Sequence, residues 1–317
     1  MRTTNIALGP SASISGLQVP FPIMVAAFCL LWSSAFSVAK LAIIDCPPLL
    51  ALTARFLLAG MFVFGAASLF GAELSLGRRD LLIFAVLGIA NQAVYLGLSY
   101  LGIRTISSGL AALVISANPV LTAVMAALFL GERMTWRKGA GLLLGIGGVT
   151  FIVQSRLSGG ADHAVGIVLA VAALVSLAVG TIVFKRFMPA GGLWIGTGVQ
   201  KNVAAGLTLL PIAFASESIG DIVPSWRLFG ALIYLALLVS VFAYLLWFHL
   251  LAVSEATEAS SYHFMMPPLG MLFGWLLLGE HVALTDLVGI VPVALGIYLV
   301  TRSIVPQHDR RASAIGT

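Results

Sequence analysis

The chain has 317 residues, of which 60% are hydrophobic and only 9% charged, whereas a soluble domain carries about 25% charged residues. Together with a mean hydropathy of +1.07, this excludes an ordinary soluble domain and reads as an all-α polytopic membrane protein. The formal net charge of +5 comes from Lys and Arg scattered between apolar runs. They form no basic stripe, so the balance argues against a nucleic-acid partner and for the charge bias of membrane loops.

Residues 1–20 hold one Arg, several Ser and no long apolar core, so they do not read as a cleaved leader. They are expected to form a tail, as are residues 304–317 at the other end. A membrane-spanning helix needs roughly 20 apolar residues. Ten runs meet or approach that length: 21–41, 48–70, 81–101, 108–130 and 139–153, then 165–184, 193–215, 228–251, 259–278 and 287–300. Between the fifth and sixth lies the one linker-like stretch, with Ser158-Gly159-Gly160. The spans divide into a first unit over 21–156 and a second over 163–303.

The two units carry one pattern. Pro119, Gly131, Glu132, Gly141 and Gly148 are each followed 148 residues later by the same residue type: Pro267, Gly279, Glu280, Gly289 and Gly296. A period of nearly half the chain predicts two related halves rather than an array of short units. With five spans in each, the second half enters the membrane upside down relative to the first, giving an inverted-topology repeat. Counting charges sets the orientation. With the N-terminus inside, eleven Lys and Arg fall inside (among them Arg78, Arg79, Arg133, Arg137, Lys138, Lys185 and Arg186) and four outside, namely Lys40, Arg104, Arg156 and Arg227. Both termini are therefore expected in the cytoplasm.

Pro119 and Pro267 lie 12 residues before their Gly-Glu ends, roughly 18 Å along a helix and near the bilayer midplane. A proline there removes a backbone hydrogen bond and opens the helix, and broken helices at matching positions of two halves point to a central site. They are the candidate gates, with Ser116 and Asn118 near the first break and Tyr262, His263 and Met266 near the second. Arg55 and Lys201 are the cations furthest inside apolar runs; Gln200 stands 145 residues after Arg55. Such a cation costs about 2.5–3.5 kcal/mol at a helix centre. It either reaches the interface on its long stem or attracts an anionic group such as a carboxylate. Trp32, Ser33, Ser34, Asn91, Gln92, Tyr95, Tyr244 and Trp247 complete a partly polar, aromatic lining that suits an amphipathic metabolite. No Asp or Glu lies deep within the ten runs, leaving His249 and His263 as the titratable groups there. Gly141 and Gly145 form a G-x-x-x-G, which brings helices close and speaks of packing.

Cys29 and Cys46 fit no disulfide framework and no C-x-x-C spacing. The chain also lacks G-x-x-x-x-G-K-[ST], H-E-x-x-H and a usable G-x-S-x-G. No catalytic residue, metal ligand or cofactor is expected, and an enzyme is disfavoured.

Leu31-Trp32-Ser33-Ser34 with Phe36 and Lys40, Arg55-Phe56, Pro119 with Leu130-Gly131-Glu132, and Gly141 with Gly148-Val149 form an ordered set. It recurs in the second half as Pro267, Leu278-Gly279-Glu280, Gly289 and Gly296. With that set the chain resembles the EamA-type branch of the drug/metabolite transporter superfamily over residues 21–302. The resemblance implies a secondary transporter with a cavity formed by helices one to four and six to nine, and with helices five and ten at the back. It also implies export of amino acids and related metabolites from bacteria across the inner membrane. Small multidrug-resistance relatives rely on a Glu in their first helix, and residues 21–41 hold none.

The expected substrate-binding residues are Trp32, Ser34, Arg55, Asn91, Tyr95, Asn118, Gln200, Lys201, Tyr244 and His263, with Pro119 and Pro267 as gates. The expected partners are a small-molecule substrate and the lipid bilayer; a coupling proton and a monomeric or homodimeric state stay open. The alternatives are a carrier of nucleosides, sugars or drug-like cations, and a non-transporting scaffold or membrane-embedded enzyme.

Overall fold

A computed structural model describes residues 11–14, 17–70, 75–105, 114–115, 117–154, 164–189, 192–279 and 284–301. Ser116, Glu280, the expected linker at 158–160 and the C-terminal tail lie outside the described residues.

The all-α expectation meets one small exception before the first helix. Ser11–Ile14 (β1) and Leu17–Pro20 (β2) pair antiparallel, with Ser11 opposite Pro20 and Ile14 opposite Leu17. Ser-Ala-Ser-Ile and Leu-Gln-Val-Pro alternate with the period of two that a strand needs. The helices follow: α1 Phe21–Asp45, α2 Pro48–Leu69, α3 Arg78–Gly102, α4 Asn118–Phe129 and α5 Trp136–Gln154. In the second half α6 is Ala164–Phe187, α7 runs over 193–216, α8 is Trp226–Val253, α9 runs over 256–278 and α10 is Leu284–Thr301. Among the described residues α1, α2, α3, α6 and α8 are long and apolar enough to cross a membrane, and α4 is a shorter apolar helix.

The packing is symmetrical between the halves. Helix α1 packs on α8 and α9, and α6 packs on α3 and α4; α2 meets α7, α4 meets α9 and α5 meets α10. Replacing each helix by its counterpart five places along exchanges the pairs made by α1 and α6 and carries the other three into themselves. The fifth helix therefore pairs with the tenth, and the halves meet along most of their length.

The repeated Leu-Gly-Glu ends acquire a structural reason. Gly131 and Gly279 both take a left-handed backbone, with φ of 70° and 67°, which glycine adopts without the Cβ clash of other residues. After Gly131 the chain turns so that the Glu132 N–H bonds back to the Ala126 carbonyl at 3.2 Å. The Glu132 side chain then reaches the other half. Its carboxylate accepts from the backbone N–H of Ala256 at 2.7 Å and from the Thr257 hydroxyl at 2.7 Å, capping α9. Lys138 pairs with Glu255 beside it, and Lys185 donates to the Ser254 carbonyl.

At the opposite ends of these helices a second set of ties joins the halves. Pro48 opens α2, where a missing N–H costs nothing. The following Leu49 and Leu50 N–H groups donate to the Glu217 carboxylate at 3.0 and 2.8 Å. Nearby, Asp45 pairs with Arg227 and Ser225, and its carbonyl takes the Val223 N–H at 2.7 Å. Glu217→Ala is expected to lower stability by about 1–2 kcal/mol through loss of this cap, read as a lower melting temperature in detergent. Glu217→Gln should keep part of it.

Candidate functional site

Three helices depart from α-geometry where their polar residues sit. Residues Ile89–Val94 of α3, Gln200–Gly206 of α7 and Leu235–Ala243 of α8 are π-helical. They contain Asn91 and Gln92, Gln200 and Lys201, and Ser240. Such widened turns recur at functional positions in proteins. In α9 the tight turn Tyr262–Met265 carries His263 and precedes a fresh α-helical segment from Met266 to Leu278. Helix α4 likewise begins at Asn118 after a turn at Ala117. Pro119 thus falls in the first turn of α4, and Pro267 in the first turn of the segment that follows the tight turn of α9, where proline needs no donor. In α9 the expected opening is a break between two segments rather than a bend in a continuous rod.

Arg55 and Lys201 meet at the centre of the packed halves. Arg55 is 2% exposed; its Nε donates to Ser240 Oγ at 2.7 Å and its Nη1 to Tyr100 Oη at 3.3 Å. Lys201 is fully buried at 0% exposure. Its Nζ has no hydrogen-bond acceptor and stands 3.5 Å from the centre of the Tyr244 ring and 5.3 Å from that of Phe56. A cation over an aromatic face is attracted by the ring's negative π-surface, yet this compensates an ammonium less fully than a carboxylate does. Both cationic side chains are buried within the protein rather than extended to its surface.

Aromatic rings extend the site from Tyr244. Trp32 lies 4.7 Å from Tyr244 and 5.7 Å from His263, centre to centre, and Trp247 stands edge-on to His263 at 4.8 Å. The Tyr244 hydroxyl donates to the Asn91 carbonyl at 3.2 Å. The side-chain amides of Asn91 and Gln200 are buried without protein partners, as is His263 Nε2. Trp32, Arg55, Tyr95, Tyr100 and Tyr244 line a cavity of about 40 Å³, room for little more than a water molecule.

The structure therefore brings together Trp32, Arg55, Tyr95, Lys201, Tyr244 and His263, with Asn91 and Gln200 on the adjoining π-helical turns. Two expected residues are otherwise engaged. Ser34 shares a 2.6 Å hydrogen bond with Tyr234 and ties α1 to α8. Asn118 is buried at the break in α4, where its Oδ1 accepts from Thr122 at 3.2 Å.

Two residues escaped the sequence reading. Ser240 and Tyr100 are the direct partners of Arg55; Ser240 stands one helical turn before Tyr244, a spacing that would have marked it as sharing that face. Glu258 stands just ahead of the ninth apolar run, so no carboxylate lies deep within that run, yet it is drawn into the first turn of its helix. Helix α9 starts at Ala256, and Glu258 is 8% exposed within it. It faces a groove of about 630 Å³ that Val25, Cys29 and Tyr262 also line. Among the described residues no three of His, Cys, Asp or Glu converge as a metal site would require.

The model of the EamA-like transporter family matches twice, over residues 21–154 and 164–302. An uncharacterized transporter of Archaeoglobus fulgidus is 30% identical over 275 residues, covering 86% of this chain and 95% of its own. The uncharacterized transporter YvbV of Bacillus subtilis is 28% identical, with 93% and 94% covered. The uncharacterized inner membrane transporter YedA of Escherichia coli is 27% identical, with 88% and 90% covered. A crystal structure with 17% identity superposes at a TM-score of 0.73 over 93% of this chain and 98% of its own, which speaks for the fold alone. Two family matches in tandem, on a chain whose apolar helices pack half against half around buried cations, make it a multi-pass membrane protein that belongs to the EamA-like transporter family.

Proposed function

We propose that this protein is a secondary transporter exporting small amphipathic metabolites, amino acids or their derivatives foremost, across a bacterial inner membrane by alternating access. The observation that carries this reading is the buried site shared by the two halves. Arg55 of the first bonds Ser240 of the second, and Lys201 of the second lies over Phe56 of the first. A polar, aromatic site at the seam of two symmetrical halves opens to one side when the halves rock one way and to the other when they rock back. In this reading ten helices cross the bilayer, the units 21–156 and 163–303 are inverted repeats, and both termini face the cytoplasm.

The two sets of end contacts suit such a cycle. Glu132, Lys138 and Lys185 would hold the cytoplasmic ends together, while Asp45 and Glu217 would hold the outer ends. The breaks before Pro119 and Pro267 supply the joints. With a cavity of about 40 Å³, a metabolite enters only after the halves part. No chemical change in the cargo is part of this reading.

The test is flux. Purified protein in proteoliposomes is expected to move a radiolabelled amino acid or N-acyl amino acid faster than empty vesicles do. Arg55→Ala should reduce that rate at least about tenfold, because it deletes a buried charge-assisted contact. Empty-vesicle rates across a panel of both cargo types would refute the assignment.

A further inference from the structure

Resting on that reading of the site, we infer that the protein recognises its cargo as a net anion: an organic carboxylate whose amine is absent or masked, in preference to a zwitterion. The site holds two cationic side chains, each at most 2% exposed. Among the described residues Arg55 bonds neutral hydroxyls, those of Ser240 and Tyr100. The ammonium of Lys201 has no hydrogen-bond acceptor and rests against ring faces. Among the described residues the ion pairs lie elsewhere, at helix ends: Asp45 with Arg227, Asp80 with Arg79, and Lys138 with Glu132 and Glu255. Among the described residues no carboxylate answers either central charge.

A buried charge without a counter-charge is costly, and a ligand that supplies one recovers that cost on binding. A carboxylate matches the planar fork of Arg55 and offers Lys201 the acceptor it lacks. The ammonium of a free amino acid meets the reverse situation. It would enter beside two like charges, and the π-face of Tyr244 is already occupied by Lys201 at 3.5 Å. What remains are the amide groups of Asn91 and Gln200, which have no protein partners and suit an uncharged amide N–H or C=O better than a second cation. Trp32 and Tyr244, with ring centres 4.7 Å apart and planes tilted by 45°, supply an aromatic wall against which the rest of such a molecule packs. The inference narrows the cargo from amino acids at large to acyl-masked amino acids and similar hydrophobic organic acids.

The experiment compares one body in three charge states on the full-length protein in lipid nanodiscs. N-acetyl-L-phenylalanine is the anion, L-phenylalanine the zwitterion and L-phenylalaninamide the cation; quenching of the site tryptophans reads binding. The series is repeated with the leucine analogues. Wild type is expected to bind the N-acetyl anion at least about tenfold more tightly than the zwitterion, the scale of one hydrogen bond to a charged group, and the amide cation more weakly still. Lys201→Met, which keeps length and apolar bulk, should close most of that gap, whereas Lys201→Arg should preserve it. Equal or tighter binding of the zwitterion overturns the inference. So does a gap unchanged by Lys201→Met, or failure of both N-acetyl anions to bind. Anion-selective binding without flux in vesicles would sink the transport reading and leave this one standing; flux of zwitterions with no charge preference would do the opposite.

Discussion

Gly141→Leu is expected to destabilise the protein by about 3 kcal/mol or more, the upper range for overpacking. Helices α5 and α10 touch backbone to backbone at this point. A Cβ on Gly141 would lie 2.7 Å from the Gly296 carbonyl oxygen, and a Cβ on Gly296 would lie 2.6 Å from the Gly141 oxygen. Neither obstacle is a side chain that can swing aside, so the helices must separate. In a bilayer that separation is costly in a particular way, because lipid tails are as apolar as leucine and close packing itself drives association. Thermal melting in detergent, with recovery of monodisperse protein, measures the loss. Gly147→Leu on the same helix meets nothing within 4 Å and should melt like the wild type. An unchanged melting temperature for Gly141→Leu would refute the packing described for α5 and α10.

Glu132→Ala is the second large effect, expected at about 2–4 kcal/mol. Its carboxylate holds the Ala256 N–H, the Thr257 N–H at 3.3 Å and the Thr257 hydroxyl, and lies 4.0 Å from the Lys138 ammonium. Truncation strands two backbone donors and leaves Lys138 with Glu255 alone. Glu132→Gln retains an acceptor but not the charge and should fall between. Hydrogen exchange separates local from global loss. The amides of Ala256–Ser261 should exchange faster in Glu132→Ala while those of Leu49 and Leu50, held by Glu217 at the other end, keep their protection. Uniformly faster exchange would show instead that Glu132 stabilises the whole fold without a distinct role at that end.

The features legible in the sequence are those that backbone geometry or solvation forces on it. Gly131 and Gly279 must be glycine for their left-handed turns, so the repeat shows in the letters. Arg55 and Lys201 stand out because a charge inside an apolar run is costly in lipid. What stayed hidden depends on partners far away in the chain. The start of α9 is one case. Hydropathy places it at Ala259, but Glu132, 124 residues earlier, supplies the donors' acceptor and lets the helix begin at Ala256, which draws Glu258 inside. Arg55 and Ser240 are another, joined across 185 residues. Ser34 faces Tyr234 for the same reason: nothing local tells which side of α1 points at the site.

The π-helical turns bear on how such a site changes over time. The single widened turn at 89–94 accommodates a residue beyond what the same stretch of α-helix requires. Removing a single residue from 89–94 would restore the ordinary ladder, leave α3 long enough to cross the bilayer, and turn one half of the helix against the other by about 100°. Asn91 and Tyr95 would no longer face the same neighbours, although every side chain involved would still be present. Insertion or loss of one residue is thus a route by which a lineage could exchange cargo without altering the composition of its pocket.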